Sequence, residues 1–367
     1  MKIIHVIDTL GFGGAESMLI NTIEKSPGII HYKVFILGKN TPRAEYLSNL
    51  GVSVERVTWF NFFFKIYREK PDLLMGWLFK STLICALAKQ IFGHRIKIVW
   101  NIRYSSFPNS DVKSRLIVQI LKIFSSTVEA IVYNSFVGRR HHESLGYKNK
   151  NSIVIGNGFD IEKYQPQPHL KQEFLMNKEL EKNSFIFGMV ARYDKLKNQK
   201  NFILAALEFL DNIKETKGPI YFVFAGKEMN WQNQELIKIL DGHPKSYRFL
   251  FLDAQNRTQF LYPCFDINCL YSLTEGFPNV IGESMCCGIP SIASDVGDVK
   301  RLMENSGWLV SLDSKSELIT AFTKAYYANT SDLRELGEQA RKNICENYSI
   351  EKITNDYIHL FEMIIGK

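Results

Sequence analysis

Apolar runs of strand length alternate with stretches of helical spacing along the whole chain. "KIIHVIDT" (2–9) reads as a buried strand that runs into glycines. "AESMLINTIEKS" (15–26) follows, with Met18, Leu19 and Ile23 at helical spacing. "YKVFILG" (32–38), "PDLLMGW" (71–77), "IKIVWNI" (96–102) and "AIVYNS" (130–135) continue the first set of strands. A second set begins with "SFIFGMVAR" (184–192) and continues through "PIYFVFAG" (219–226), "YRFLFL" (247–252), "FDINCLYS" (265–272) and "PSIAS" (290–294). Strands alternating with helices predict parallel sheets covered on both faces. The fold class is therefore α/β, with two doubly wound domains. "NGFDIEKYQPQPHLKQEF" (157–174), with two prolines and little periodicity, is the expected linker. "SIEKITNDYIHLFEMIIGK" (349–367) reads as an amphipathic helix. Ligands of this architecture bind beyond the carboxyl ends of the strands, here in a cleft between the domains.

The bulk numbers fit two ordinary domains. The chain has 367 residues, 46% of them hydrophobic. No run of uncharged apolar residues is long enough for a transmembrane helix. The apolar start is broken by His5 and Asp8 and carries no signal-peptide cleavage pattern. The six cysteines form no C-x-x-C pair and sit at no zinc-finger spacing, which predicts reduced thiols and a cytoplasmic protein. Charge changes the picture more. Residues 1–160 carry 21 Lys and Arg against 11 Asp and Glu, a net +10, whereas the remainder is at −3. A basic first half suits an anionic membrane surface or a phosphate-bearing substrate. Its basic residues are scattered and come with no nucleic-acid motif, so no nucleic-acid partner is expected.

The strongest chemical signal is "TEGFPNVIGESMCCGIP" (274–290). Pro278 suits the first turn of a helix, and Gly288 suits its end. The N–H groups around Asn279 and Val280 then form an anion site supported by the helix dipole, with room for a diphosphate. Glu275 precedes the helix and Glu283 lies one turn inside it. Carboxylates are poor phosphate ligands but good acceptors from sugar hydroxyls. One can hold a sugar and the other a ribose, on either side of the phosphates.

"EGFPNVIGESMCCGIPSIASDVGD" resembles the E-x7-E signature of glycosyltransferase family 4, retaining enzymes with two Rossmann-like domains in the GT-B arrangement. The resemblance implies that Glu275 contacts the donor sugar and Glu283 the ribose, with Gly276, Phe277, Pro278, Asn279 and Val280 around them. "ARYDKLKNQKNF" (191–202) resembles the family's G-R-x4-K-[GN] segment, with Ala191 where a glycine is usual. It implies Arg192 and Lys197 on the diphosphate, where two cations neutralise the leaving charge without a metal. The chain also lacks the D-x-D that metal-dependent glycosyltransferases use. No metal or cofactor is expected, the nucleotide-sugar being a substrate.

"GFGGAE" (11–16) fails the dinucleotide fingerprint because Glu16 stands where a glycine is needed. "GGAE" is similar to the family's pattern here, which implies Gly13 and Gly14 at the donor and Glu16 facing the cleft toward the acceptor. In "VWNIRYSS" (99–106) Arg103 stands where many members have histidine; arginine stays charged, so it is expected to bind a donor or acceptor anion. Asn157, in the family-like "NGFD" turn, is expected to line the cleft near the hinge, and the adjacent His141 and His142 to lie on the surface.

The resemblance implies a domain over 1–165 that takes a saccharide or lipid-linked saccharide acceptor, with helix 349–367 packed back on it. It implies a domain over 166–348 that takes the nucleotide-sugar, most often with UDP. It places such chemistry in cell-surface polysaccharide, lipopolysaccharide or capsule synthesis. "WFNFFFKIYREK" (59–70) and "KSRLIVQILKIFSS" (113–126) are basic and apolar, and one of them is expected to touch an anionic membrane from the cytoplasmic side. Alternatives are a nucleotide-sugar 2-epimerase of the same architecture, which the glutamate spacing disfavours, an NAD-binding protein, and a non-catalytic partner subunit that binds nucleotide without turnover.

Overall fold

A computed structural model describes residues 1–11, 13–39, 41–104, 112–312 and 314–366, the side chains of 112–114 excepted. Residues 105, 106, 113, 114 and 367 of the stretches named above, with Phe12 of the glycine loop, fall wholly or by side chain outside that description. The chain divides into two compact units, Met1–Gly158 with Ile350–Lys367, and Phe159–Ser349.

The first unit holds seven strands: β1 (Lys2–Ile7), β2 (His31–Ile36), β3 (Ser53–Arg56), β4 (Leu73–Trp77), β5 (Lys97–Ile102), β6 (Ala130–Tyr133) and β7 (Ser152–Val154). They form one sheet in the order β3-β2-β1-β4-β5-β6-β7, every pair parallel. Side chains alternate across a strand, so Ile3, Ile7, Leu73, Met75 and Val99 fill one face and Ile4, Val6, Leu74, Ile98 and Trp100 the other. The terminal helix Ile350–Ile365 covers the first of these faces with Ile350, Ile353, Tyr357 and Phe361.

The second unit holds six: β8 (Phe185–Val190), β9 (Ile220–Ala225), β10 (Phe249–Phe251), β11 (Ile267–Leu270), β12 (Ser291–Ser294) and β13 (Gly307–Val310). Their order is β10-β9-β8-β11-β12-β13, again all parallel. One face is aromatic: Phe187 stacks on Phe222 with ring centres 5.1 Å apart, Phe222 stacks on Phe249 at 5.4 Å, and Phe202 and Phe322 meet Phe222 edge-on. Such pairs add to the burial energy of the rings.

Three strands escape the sequence pattern: β3, β7 and β13. All three are edge strands of three or four residues, and each carries residues only partly buried. Short edges bury too little apolar surface to write a pattern. The expected linker also contains a helix, His169–Asn177, and the units part at its very start, after Gly158. His142 is a correction: it is fully buried, not on the surface, its Nδ1 lies 2.8 Å from the Gly138 carbonyl, and burial lowers its pKa to about 4. All six cysteines are free. No helix among the described residues is long and apolar enough to cross a membrane.

Candidate active site

In the second unit the strand β11 ends at Leu270, and the chain then crosses Thr274–Phe277 into the helix Asn279–Cys286. Pro278 is its N-cap, one position earlier than the sequence suggests. The first intrahelical bonds run from the N–H groups of Ile281 and Gly282 to the Pro278 carbonyl, so those of Asn279 and Val280 lie ahead of the ladder. Cys287 and Gly288, the latter at φ +71°, end the helix as expected. Gly297, at φ +60°, holds the loop against its neighbour: a Cβ there would stand 2.3 Å from the Glu275 carbonyl oxygen. The Asp298 N–H donates to the Gly276 carbonyl at 3.1 Å and pins the same loop.

β8 lies beside β11, so the segment leaving the end of β8 meets this loop. Asp194 caps the short turn Lys195–Lys197 by accepting from the Leu196 N–H at 2.9 Å. The turn delivers Lys197, whose Nζ donates to Glu275 Oε1 at 2.5 Å in a mostly buried pair. Arg192 is not part of that pair; its exposed guanidinium binds Asp194 at 2.9 Å, two residues on. Gly226, at φ +149°, lets the end of β9 approach this segment, where a Cβ would meet the Ala191 carbonyl at 2.1 Å.

Glu283 points the other way, into protein. Tyr262 donates to its Oε2 at 2.8 Å, and Tyr164 lies close enough to share the carboxylate. Burial pushes the Glu283 pKa up to about 7, against the smaller opposing effect of the Tyr262 hydroxyl. Phe277 stacks on Phe159 and fixes the entry to the helix. Sequence reasoning does not single out the two tyrosines; nothing in "DIEKYQPQP" or "FLYPCFD" marks a hydroxyl aimed at a distant glutamate.

In the first unit Arg103 follows the end of β5. Its Nε donates to Asn101 Oδ1 at 3.1 Å, its Nη1 to Asn157 Oδ1 and its Nη2 to the Tyr357 hydroxyl at 2.5 Å. The Trp77 ring lies 5.1 Å away. Burial lowers its pKa, and Tyr357 offsets part of that, yet arginine stays charged. Arg103 and Asn157 are thus brought together. Tyr357 and Asn101 complete their network; helical spacing puts Tyr357 on the inner face of the last helix, but says nothing of its hydroxyl meeting an arginine. Glu16 stands apart. Its carboxylate folds back over the start of the helix Gly14–Glu24, into the space beside Gly13, 2.4 Å from where a Cβ there would be. Arg43, which donates to the Gly11 carbonyl at 2.8 Å, is its nearby cation.

Comparison with known proteins gives this arrangement a setting. Residues 171–343 match the family model described as glycosyl transferases group 1. The N-acetyl-alpha-D-glucosaminyl L-malate synthase of Bacillus anthracis is 27% identical over 298 residues, 79% of this chain and 74% of that one. The UDP-Gal:alpha-D-GlcNAc-diphosphoundecaprenol alpha-1,3-galactosyltransferase of Escherichia coli is 26% identical over 314 residues, 82% and 78% of the two chains. Among solved structures, HepE of Anabaena in complex with UDP superposes with a TM-score of 0.86 over 99% of this chain and all of that one, at 19% identity. The fold is GT-B, residues 171–343 carry the region described as glycosyl transferases group 1, and the likeness to named glycosyltransferases supports a hexosyltransferase.

Proposed function

We propose that this chain moves a hexose from a UDP-sugar to a saccharide or lipid-linked saccharide acceptor, with retention and without a metal. The observation that carries the proposal is the pairing of Glu275 with Lys197 just ahead of a helix start, with Glu283 one turn further on. In this reading the diphosphate lies on the N–H groups of Asn279 and Val280, near Lys197, with Arg192 beside it. Glu275 holds sugar hydroxyls and Glu283 the ribose. Gly13 and Gly14 give the donor backbone contact, while Glu16 and Asn157 serve the acceptor. The acceptor oxygen forms its bond to the anomeric carbon on the face from which the diphosphate leaves. The bond from that carbon to the phosphate oxygen breaks, and the departing phosphate takes the acceptor proton. Cations and a helix start stabilise the charge that develops there. Relatives that act on a malate and on a diphosphoundecaprenol-linked sugar support an acceptor of that kind in cell-surface or small-molecule glycoside synthesis.

The raised Glu283 pKa gives a test with a sign. The folded chain holds this proton above the ordinary carboxyl range, so its contribution to stability is full below about 4.5 and is lost as pH rises through about 7. Ribose hydroxyls need the ionised form as acceptor. UDP-glucose affinity should therefore rise between pH 6 and pH 8, by up to about tenfold for each unit below the pKa. Glu283→Gln should flatten both trends. Calorimetric titration across that range checks this; a pH-independent affinity in the wild type would refute the ribose role.

Membrane contact is a second reading, favoured by the helix Trp59–Glu69. A capping box at Thr58 and Asn61 starts it, and Phe62 and Ile66 bury into the core. Phe60, at 97% exposure, with Phe64, Tyr67 and Trp59, faces outward, and Arg68 lies over the Phe64 ring. An aromatic face with cations suits an anionic bilayer surface. The helix Val112–Phe124 also exposes Leu116 and Ile123. Flotation with vesicles containing phosphatidylglycerol should carry the wild type, and the double change Phe60→Ser with Phe64→Ser should abolish it. Equal flotation of both proteins would dismiss this helix.

A further inference from the structure

We infer that Arg103 is the receptor for an anionic group, a phosphate or a carboxylate, on the acceptor. The inference rests on the reading that the first unit takes the acceptor. Its physical basis is a cation with no carboxylate partner among the described residues. Three sheltered lysines here have carboxylate partners: Lys89 with Glu129, Lys171 with Asp266, Lys33 with Glu55 and Glu69. Arg103 has none within ion-pair distance among the described residues; its partners Asn101, Asn157, Tyr357 and the Trp77 ring are all neutral. Sheltering a charge without a counter-charge is costly, and neutral acceptors orient the fork without cancelling it.

The donor count points the same way. A guanidinium has five N–H groups, and three are committed to these partners, which leaves one on each terminal nitrogen without a partner among the described residues. Tyr357 adds a third donor. Its oxygen accepts from Asn101 Nδ2 at 3.0 Å and from Arg103 Nη2, so both lone pairs are used and its proton remains. Three donors around a net positive charge match an oxyanion, which accepts two or more bonds at once. A neutral sugar hydroxyl would leave most of them unsatisfied. Arg103 follows β5 and Asn157 follows β7, at the strand ends where ligands of such sheets bind. The donor diphosphate has its own cations in the second unit, so this anion belongs to the acceptor.

The test uses the full chain saturated with UDP, so that the nucleotide site is filled before any anion is added. Inorganic phosphate and malonate are titrated separately, with chloride at equal ionic strength as the control. The readouts are the Arg103 Nε resonance and calorimetry. Saturable binding of phosphate or malonate that moves this resonance is the expected result, and which of the two binds tighter tells a phosphate-bearing acceptor from a carboxylate-bearing one. Arg103→Met should weaken that binding at least about tenfold, the loss of a charge-assisted pair, while UDP affinity changes less than about twofold. Tyr357→Phe, which keeps the ring and removes the proton, should weaken it several-fold, and it serves if the methionine variant does not fold. Anion binding no different from chloride, or undiminished in both variants, overturns the inference. Failure of the wild type to bind UDP is a separate outcome, which removes the donor-site reading itself.

Discussion

Replacing Lys197 by alanine should lower kcat/KM about a hundred- to a thousandfold, most of it in kcat. Lys197 is mostly buried and donates to Glu275 at 2.5 Å, so its charge acts where water screens it poorly. Charge develops on the leaving diphosphate only as the sugar bond breaks. A cation placed for that moment therefore lowers the barrier more than it tightens donor binding. The change also leaves Glu275 without its partner, which disturbs the carboxylate proposed to hold the sugar. Arg192 differs: its guanidinium is 64% exposed and paired with Asp194, so its removal should cost less. Steady-state UDP release measures both. Equal losses for the two variants, or a loss confined to KM, would contradict the role given to Lys197.

Phe222→Ala should destabilise the second unit by about 3–5 kcal/mol, a large share of the roughly 5–15 kcal/mol that holds a domain together. Phe222 is fully buried at the centre of its sheet face, stacked between Phe187 and Phe249 and met edge-on by Phe202 and Phe322. Four rings set by the strands β8 and β10 and by two helices cannot all move in to fill the space. The same strands position Arg192 and Lys197, so UDP binding should fall with the fold. Chemical unfolding of the wild type and the variant checks it; a loss below about 1 kcal/mol would mean that the aromatic face relaxes freely.

Both sheets are legible in the sequence because parallel strands covered on two faces read as continuous apolar runs, as in "KIIHVI" and "IYFVFA". The edge strands β3, β7 and β13 are not, since three or four half-buried residues carry no period. The proline and glycine signals around Asn279–Cys286 place that helix almost to the residue. Spacing alone can pair Glu275 with Glu283 in one motif, but cannot foresee that one meets Lys197 while the other turns inward to Tyr262. Those partners come from 78 and 21 residues away, through strand order. Arg103 is visible as a charge after a strand. That its partners among the described residues are all neutral depends on Tyr357, brought from 254 residues further on by the last helix. His142 defies the surface expectation because an adjacent histidine pair on a polar helix says nothing about which ring faces the sheet.

Everything proposed for the second unit depends on where a nucleotide settles, and a crystal structure of the chain grown with UDP tests that most directly. The diphosphate should lie within hydrogen-bond reach, about 3 Å, of the Asn279 and Val280 N–H groups, with both ribose hydroxyls on the Glu283 carboxylate. UDP bound elsewhere, with Glu283 still closed on Tyr262 and Tyr164, would contradict the account.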